Sequence, residues 1–150
     1  MEENTGTVAT FDIDDLNSVD EGKMMVLAGD RPTGWEWTFA GPGHPMGIAQ
    51  TNRIAREELS RQRSQEQARV NNKKYKAEEK SPDDLLEENV NFILERLLGW
   101  SDVNMNGKPF PFSRENARSI LKDKRKATIL NQCIEFILND NSFTKRSAKP

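Results

Sequence analysis

The chain holds one histidine and one cysteine in 150 residues. His44 lies in the run Gly-Pro-Gly-His-Pro, residues 41–45, with no second ligand or acidic partner nearby, so it reads as a loop residue. Cys133 falls in the pattern Ile129, Leu130, Cys133, Ile134, Ile137, the spacing of one helix face, where a thiol serves as a small buried hydrophobe. The two sit in unrelated contexts and do not form a nucleophile–base pair. Asp12, Asp14 and Asp15 are close together but lack the glycine and distal glutamate of a calcium loop. No Cys/His cluster has zinc spacing, and no glycine loop is built to cradle a phosphate. The expectation is therefore no catalytic residue, no metal, no cofactor and no enzymatic activity.

Binding chemistry is better represented. Trp35, Trp37 and Phe39 alternate with Glu36 and Thr38, which places three aromatics on one face of a strand. That face either covers a core or meets a partner. Residues 51–80 carry nine Lys and Arg, Arg56 and Arg63 among them, against five glutamates. Such a stretch suggests nucleic acid, but interleaved acids and the lack of stacking aromatics argue for a solvated helical face instead. Phe112, read as tucking towards a core, and Phe143, read as a local anchor, complete the candidates. The candidate partner-binding set is Trp35, Trp37, Phe39, Arg56, Arg63, Phe112 and Phe143.

The elements that must position these residues follow from pattern. Apolar residues are 35% of the chain and charged residues 31%, which suits a modest core with polar appendages. Residues 1–22 form an acidic flexible arm, in which VATFDIDDL makes at best a short edge strand. Residues 23–45 read as a β-hairpin, KMMVLAG and WEWTFAG about a GDRPTG turn. Residues 46–80 read as one long polar, basic helix with a thin apolar stripe and a break signal at Asn71-Asn72. Ion pairs are expected there for Arg53–Glu57 and Glu57–Arg61.

Residues 81–143 form the helical core domain, centred on the helix begun by Ser81 and Pro82. Its stripe of Leu86, Val90, Ile93, Leu94 and Leu97, widened by Leu85, Phe92 and Leu98, runs to a left-handed stop at Gly99. A tight turn at Asn106-Gly107, a helix capped by Ser113 with Ala117, Ile120 and Leu121 inward, and a last helix over 126–138 follow. Residues 144–150 are a basic tail. The fold expected is α+β, mostly α: an N-terminal β-hairpin packed on a C-terminal helical domain, with the long polar helix between.

The net charge of −2 hides an asymmetry. Residues 1–30 hold eight acids against Lys23, so the acidic head is able to attract the basic middle, or other copies of the chain. A lone cysteine fits a reducing cytoplasm, and no apolar run is long enough to span a bilayer.

The C-terminal half resembles the tail assembly chaperones of long-tailed, siphophage-type bacteriophages. The residues that carry this are NVNFILERLLGW, VNMNGKPFPF, SRENARSIL and ILNQCIEFILNDNSF. They match a helix ending near Gly99-Trp100, a Pro111-Phe112 step, an (S/T)xxNAxxL-like helix at Ser113, Asn116, Ala117 and Leu121, and a closing Gln132, Phe136 and Phe143. PTGWEWTFAGPGHP is similar to the strand pair that opens such proteins. Two features depart from the pattern: LKDKRKATIL lacks the aromatic pair expected before the last helix, and the basic arm is longer. The resemblance implies a non-catalytic chaperone in the host cell cytoplasm that binds the tape measure protein and helps recruit tail tube subunits. The alternatives are a structural virion accessory protein of head or tail and a nucleic-acid-binding adaptor.

Overall fold

The computed structural model describes residues 10–145. Alternating large apolar and polar residues build an antiparallel hairpin from β1 (Glu21–Ala28) and β2 (Arg31–Ala40). Ala28 faces Arg31, so Gly29 and Asp30 alone make the turn, with Gly29 at φ +67°. That is shorter than the GDRPTG turn expected, because a leading glycine suits the two-residue turn whose twist matches the strands. Thr33, Gly34 and Trp35 together oppose Val26, a bulge in which Thr33 Oγ1 donates to the Val26 carbonyl at 2.8 Å and accepts from Trp35 N at 3.1 Å.

A third strand joins the sheet. The helix α2 (Pro82–Leu94) opens with a reciprocal capping box between Ser81 and Asp84, but it stops at Leu94 rather than running to Leu98. β3 (Leu97–Trp100) then pairs antiparallel with β2, setting Trp100 opposite Trp37 and Gly99 opposite Thr38. Gly99 is thus a strand residue and not a left-handed stop. The cause is the far edge of β2, whose backbone groups need partners: Ala40 N donates to the Arg96 carbonyl at 2.7 Å and Ser101 N to that of Glu36 at 2.8 Å. Leu97 still enters the core, from a strand instead of a helix.

A small hairpin follows, β4 (Asn104–Met105) and β5 (Lys108–Pro109), turned by Asn106 and Gly107 at φ +53° and +78°. Both positive angles are what the Asn-Gly pair supplies in a type I′ turn. The Ser113 hydroxyl accepts from Asn116 N and starts α3 (Arg114–Lys122), which buries Ala117, Ile120 and Leu121. α4 (Ala127–Leu138) buries Ile129, Leu130, Cys133 and Ile137. α4 packs on β1 as well as on α2 and α3, and the core joins Met24, Val26, Trp37 and Phe39 of the sheet to Val90, Ile93, Leu121 and Cys133 of the helices. The fold is α+β and mostly helical, with the N-terminal hairpin packed on the helical domain.

Two appendages differ from expectation. The polar helix α1 (Pro45–Val70) ends ten residues before Lys80, where Asn72 turns left-handed at φ +54° and Lys73 N closes on the Ala68 carbonyl at 2.7 Å. Residues 73–80 return to α2 without regular structure, tied by Lys80–Glu88 at 2.7 Å. In the acidic head, Ile13–Leu16 is a short 3-10 turn capped by the Asp12 carboxylate rather than an edge strand. The head is also not wholly a free arm: Val19 N donates to the Phe143 carbonyl at 2.8 Å and Gly41 N to that of Asp20 at 2.8 Å. Val8 and most of the expected basic tail lie outside the described residues.

Candidate functional site

The long helix α1 starts on a compact set of sequence signals. His44 Nδ1 accepts from Met46 N at 3.1 Å and caps the helix, so the single histidine has a structural task rather than being a solvated loop residue. Pro45 follows at a first-turn position that needs no N–H. Gly47 lies against the backbone of Gly41 and Pro42, so closely that a Cβ on it would fall 2.1 Å from the Gly41 oxygen.

One turn further on, a polar cluster bolts the helix to the domain. Gln50 is buried, and its Nε2 donates to the Phe92 carbonyl at 2.8 Å and to Glu95 Oε1 at 2.9 Å. Arg53 grips Glu95 with two hydrogen bonds, Nε to Oε2 at 2.5 Å and Nη2 to Oε1 at 2.6 Å, and holds Glu57 at 2.7 Å. Burial pushes the Glu95 carboxyl up, but the bonds from Arg53 and Gln50 outweigh it, so its pKa lies below the ordinary value. The same bonds, from Glu95 first and Glu57 second, hold Arg53 charged. Arg96 sits beneath. Its Nε donates to the Ala40 carbonyl at 2.7 Å, its Nη1 to Gln50 Oε1 at 3.0 Å, and its guanidinium lies 5.4 Å from the centre of the Phe143 ring. Burial lowers its pKa.

Beyond Arg53 the helix leaves the core. Its remaining ion pairs are its own, Arg61–Glu58 at 2.5 Å and Arg69–Glu66 at 2.6 Å. Arg61 therefore bonds Glu58 and not Glu57 as the spacing suggested. A helical wheel puts Gln50, Arg53 and Glu57 on the domain side, Ile48, Ala55 and Leu59 on the opposite side, and Arg63 and Arg56 along one flank of that opposite side. Those five are exposed, Ile48 and Leu59 by about half, and neither Arg56 nor Arg63 has an ion pair among the described residues. Between α1, the return segment and α2 runs an open cleft of about 1160 Å³, with Ile54, Tyr75, Phe92 and Arg118 in its walls.

The candidate aromatics go elsewhere. Trp37 and Phe39 are fully buried and Phe143 nearly so, which removes them from any partner-binding face. Trp35 is half-buried at the rim, 5.3 Å from both Trp37 and Trp100. Phe112 is half-buried against Trp100, with ring centres 5.1 Å apart, and Phe143 meets Phe136 at 5.3 Å. Trp100 and Phe136 thus knit five of the seven candidates into the core, leaving Arg56 and Arg63 alone on a free surface. The indole N–H groups of Trp35 and Trp37 are buried with no acceptor among the described residues.

No family model, curated protein or solved structure matches the chain.

No three His, Cys, Asp or Glu side chains converge among the described residues, and burial pushes the Cys133 thiol far up, away from thiolate. No helix among them is long and apolar enough to cross a membrane. Sequence reasoning missed Gln50, Glu95 and Arg96. Gln50 and Arg53 do share a face at i, i+3, a signal that was available. Arg96 shares with Glu95 a charged pair set between Ile93-Leu94 and Leu97-Leu98, and nothing local separates a buried arginine there from an exposed one.

Proposed function

We propose that this chain is a non-catalytic assembly chaperone of a long-tailed bacteriophage, one that binds the tape measure protein in the host cytoplasm and helps recruit tail tube subunits. The observation that carries the reading is α1. Its 26 residues span about 39 Å, and only its first turns are anchored. The exposed side presents Ile48, Ala55 and Leu59 beside Arg56 and Arg63, which suits side-by-side docking with a long helical client. The client itself is taken from the resemblance of the C-terminal half. Docking therefore belongs to the arm, and the aromatic residues serve by holding the domain from which it projects.

The test is co-expression with the largest helical protein encoded downstream in the same genome, followed by pull-down and a solubility assay. Co-purification of a client that is soluble only in this protein's presence, lost in Leu59→Asp, supports the reading. A client indifferent to the protein, with the protein found in purified particles, makes it a virion component instead.

A further inference from the structure

The acidic head displays a second uncovered apolar surface. Phe11, Ile13 and Leu16 are 62%, 74% and 75% exposed, and Asp12, Asp14 and Asp15 stand between them. The Asp12 carboxylate is committed to Asp14 N, and Asp15 lies 3.5 Å from Lys145, itself half exposed. The 3-10 turn makes i and i+3 eclipse, so Ile13 and Leu16 project together about 6 Å apart. On the free side of α1, Ala55 and Leu59 are separated by one turn, again about 6 Å, with the unpaired Arg56 and Arg63 alongside. Glu66 at the far end of that side is occupied by Arg69. Apolar spacing and charge sign match.

The head does not lie on this place of its own arm: Ile13, Leu16 and Leu59 are 74%, 75% and 52% exposed. Val19 is pinned beside Gly41 and Phe143, next to the start of α1. Leu16 is three residues away, a reach of about 10 Å, whereas Leu59 lies about 20 Å along the helix from Pro45. We propose that, when no client is bound, the occupant is a second copy of this chain: the Phe11–Leu16 turn of each protomer docks on the Ala55–Leu59 face of its partner, and the helical client of the proposed function displaces it from that face. Exchange in both directions gives a closed two-fold dimer, with the same two surfaces used twice. The apolar contacts hold it and the Asp–Arg pairs set its register.

The test is sedimentation velocity of the full chain, with no client present, so its outcome is independent of the tape measure reading. Wild type is expected to dimerise, and more weakly at about 1 M salt, where the screening length falls to about 3 Å. Asp14→Lys/Asp15→Lys alone and Arg56→Glu/Arg63→Glu alone are expected to lose dimer affinity by about tenfold or more, and an equimolar mixture of the two to recover it, since both exchanged contacts are then complementary. Leu16→Ser, at a residue three-quarters exposed, gives the same loss without changing charge. Circular dichroism checks that each variant is folded. A wild type that stays monomeric, a dimer that the variants leave intact, or a mixture that fails to recover overturns the proposal.

Discussion

Replacing Gly47 with alanine sets two effects against each other. Gly47 is the third residue of α1, where alanine is better than glycine by at most the helix-interior difference of about 1 kcal/mol, so propensity alone forecasts a gain. Packing forecasts the reverse. A Cβ at Gly47 would stand 2.1 Å from the Gly41 oxygen, 3.0 Å from its carbonyl carbon and 3.1 Å from Pro42 Cα. All three are backbone atoms, so no rotamer change relieves the clash, and either the 41–42 loop or the start of α1 must shift. Overpacking of this kind costs about 1–3 kcal/mol, and a rigid backbone neighbour favours the upper half. The net expectation is a loss of about 1–2 kcal/mol, or a fall in Tm of about 2–8 °C. Thermal and urea unfolding followed by circular dichroism would measure it. Hydrogen exchange at Gln50 gives a second readout, because tilting α1 loosens the Arg53–Glu95 grip and speeds exchange there. An unchanged or raised Tm would show that α1 is not seated on Gly41.

Gly99→Ala should do the opposite. Gly99 lies in a strand without a left-handed angle, and a Cβ there meets nothing within 4 Å, so alanine is expected to add about 0.5–1 kcal/mol; a loss beyond 1 kcal/mol would restore the helix stop. Gln132 Oε1 accepts from Leu27 N at 2.8 Å and its Nε2 donates to the Leu27 carbonyl at 3.0 Å, capping the edge of β1. Gln132→Leu strips both bonds and should cost about 1–3 kcal/mol in urea unfolding, whereas a cost below about 0.5 would mean that water replaces them without penalty. For Glu95, whose folded pKa is lowered from 4.5, the stabilising contribution is complete above that value and is lost as pH falls through the folded pKa. Urea midpoints of wild type should therefore drop more steeply than those of Glu95→Gln below pH 4.5. Parallel curves would remove the pair as an anchor.

Much of the fold was legible because local signals and tertiary packing agreed. Ser81-Pro82 and Ser113 mark helix starts in any context, and Asn106-Gly107 leaves the chain few turns to choose from. The strand alternation of Trp35, Trp37 and Phe39 fixed their common face, and the structure turns that face into the core. β3 was hidden for a physical reason: Leu97 and Leu98 continue the three- and four-residue steps of α2, so periodicity extends the helix, and only the unpaired edge of β2 cuts it short. The end of α1 was signalled by Asn71-Asn72, but the good helix formers after it argued for continuation. Of the candidate site, Arg56 and Arg63 stay on the surface. Aromatic type alone did not separate a docking face from a core face, because both ask for the same residues.

The inner face of the hairpin is covered from the far end of the chain, and this orders events during synthesis. Phe136 lies against Phe39, a Cβ on Gly22 would strike the Phe143 ring, and Gln132 reaches Leu27 across 105 residues. At translation rates of about 5–20 residues per second, that separation is a delay of roughly 5–20 s. Throughout it Met24, Val26, Trp37 and Phe39 are made but lack their lid. Closure of the sheet thus waits on the last helix, and a nascent chain halted before Phe136 would carry the inner face of its hairpin bare.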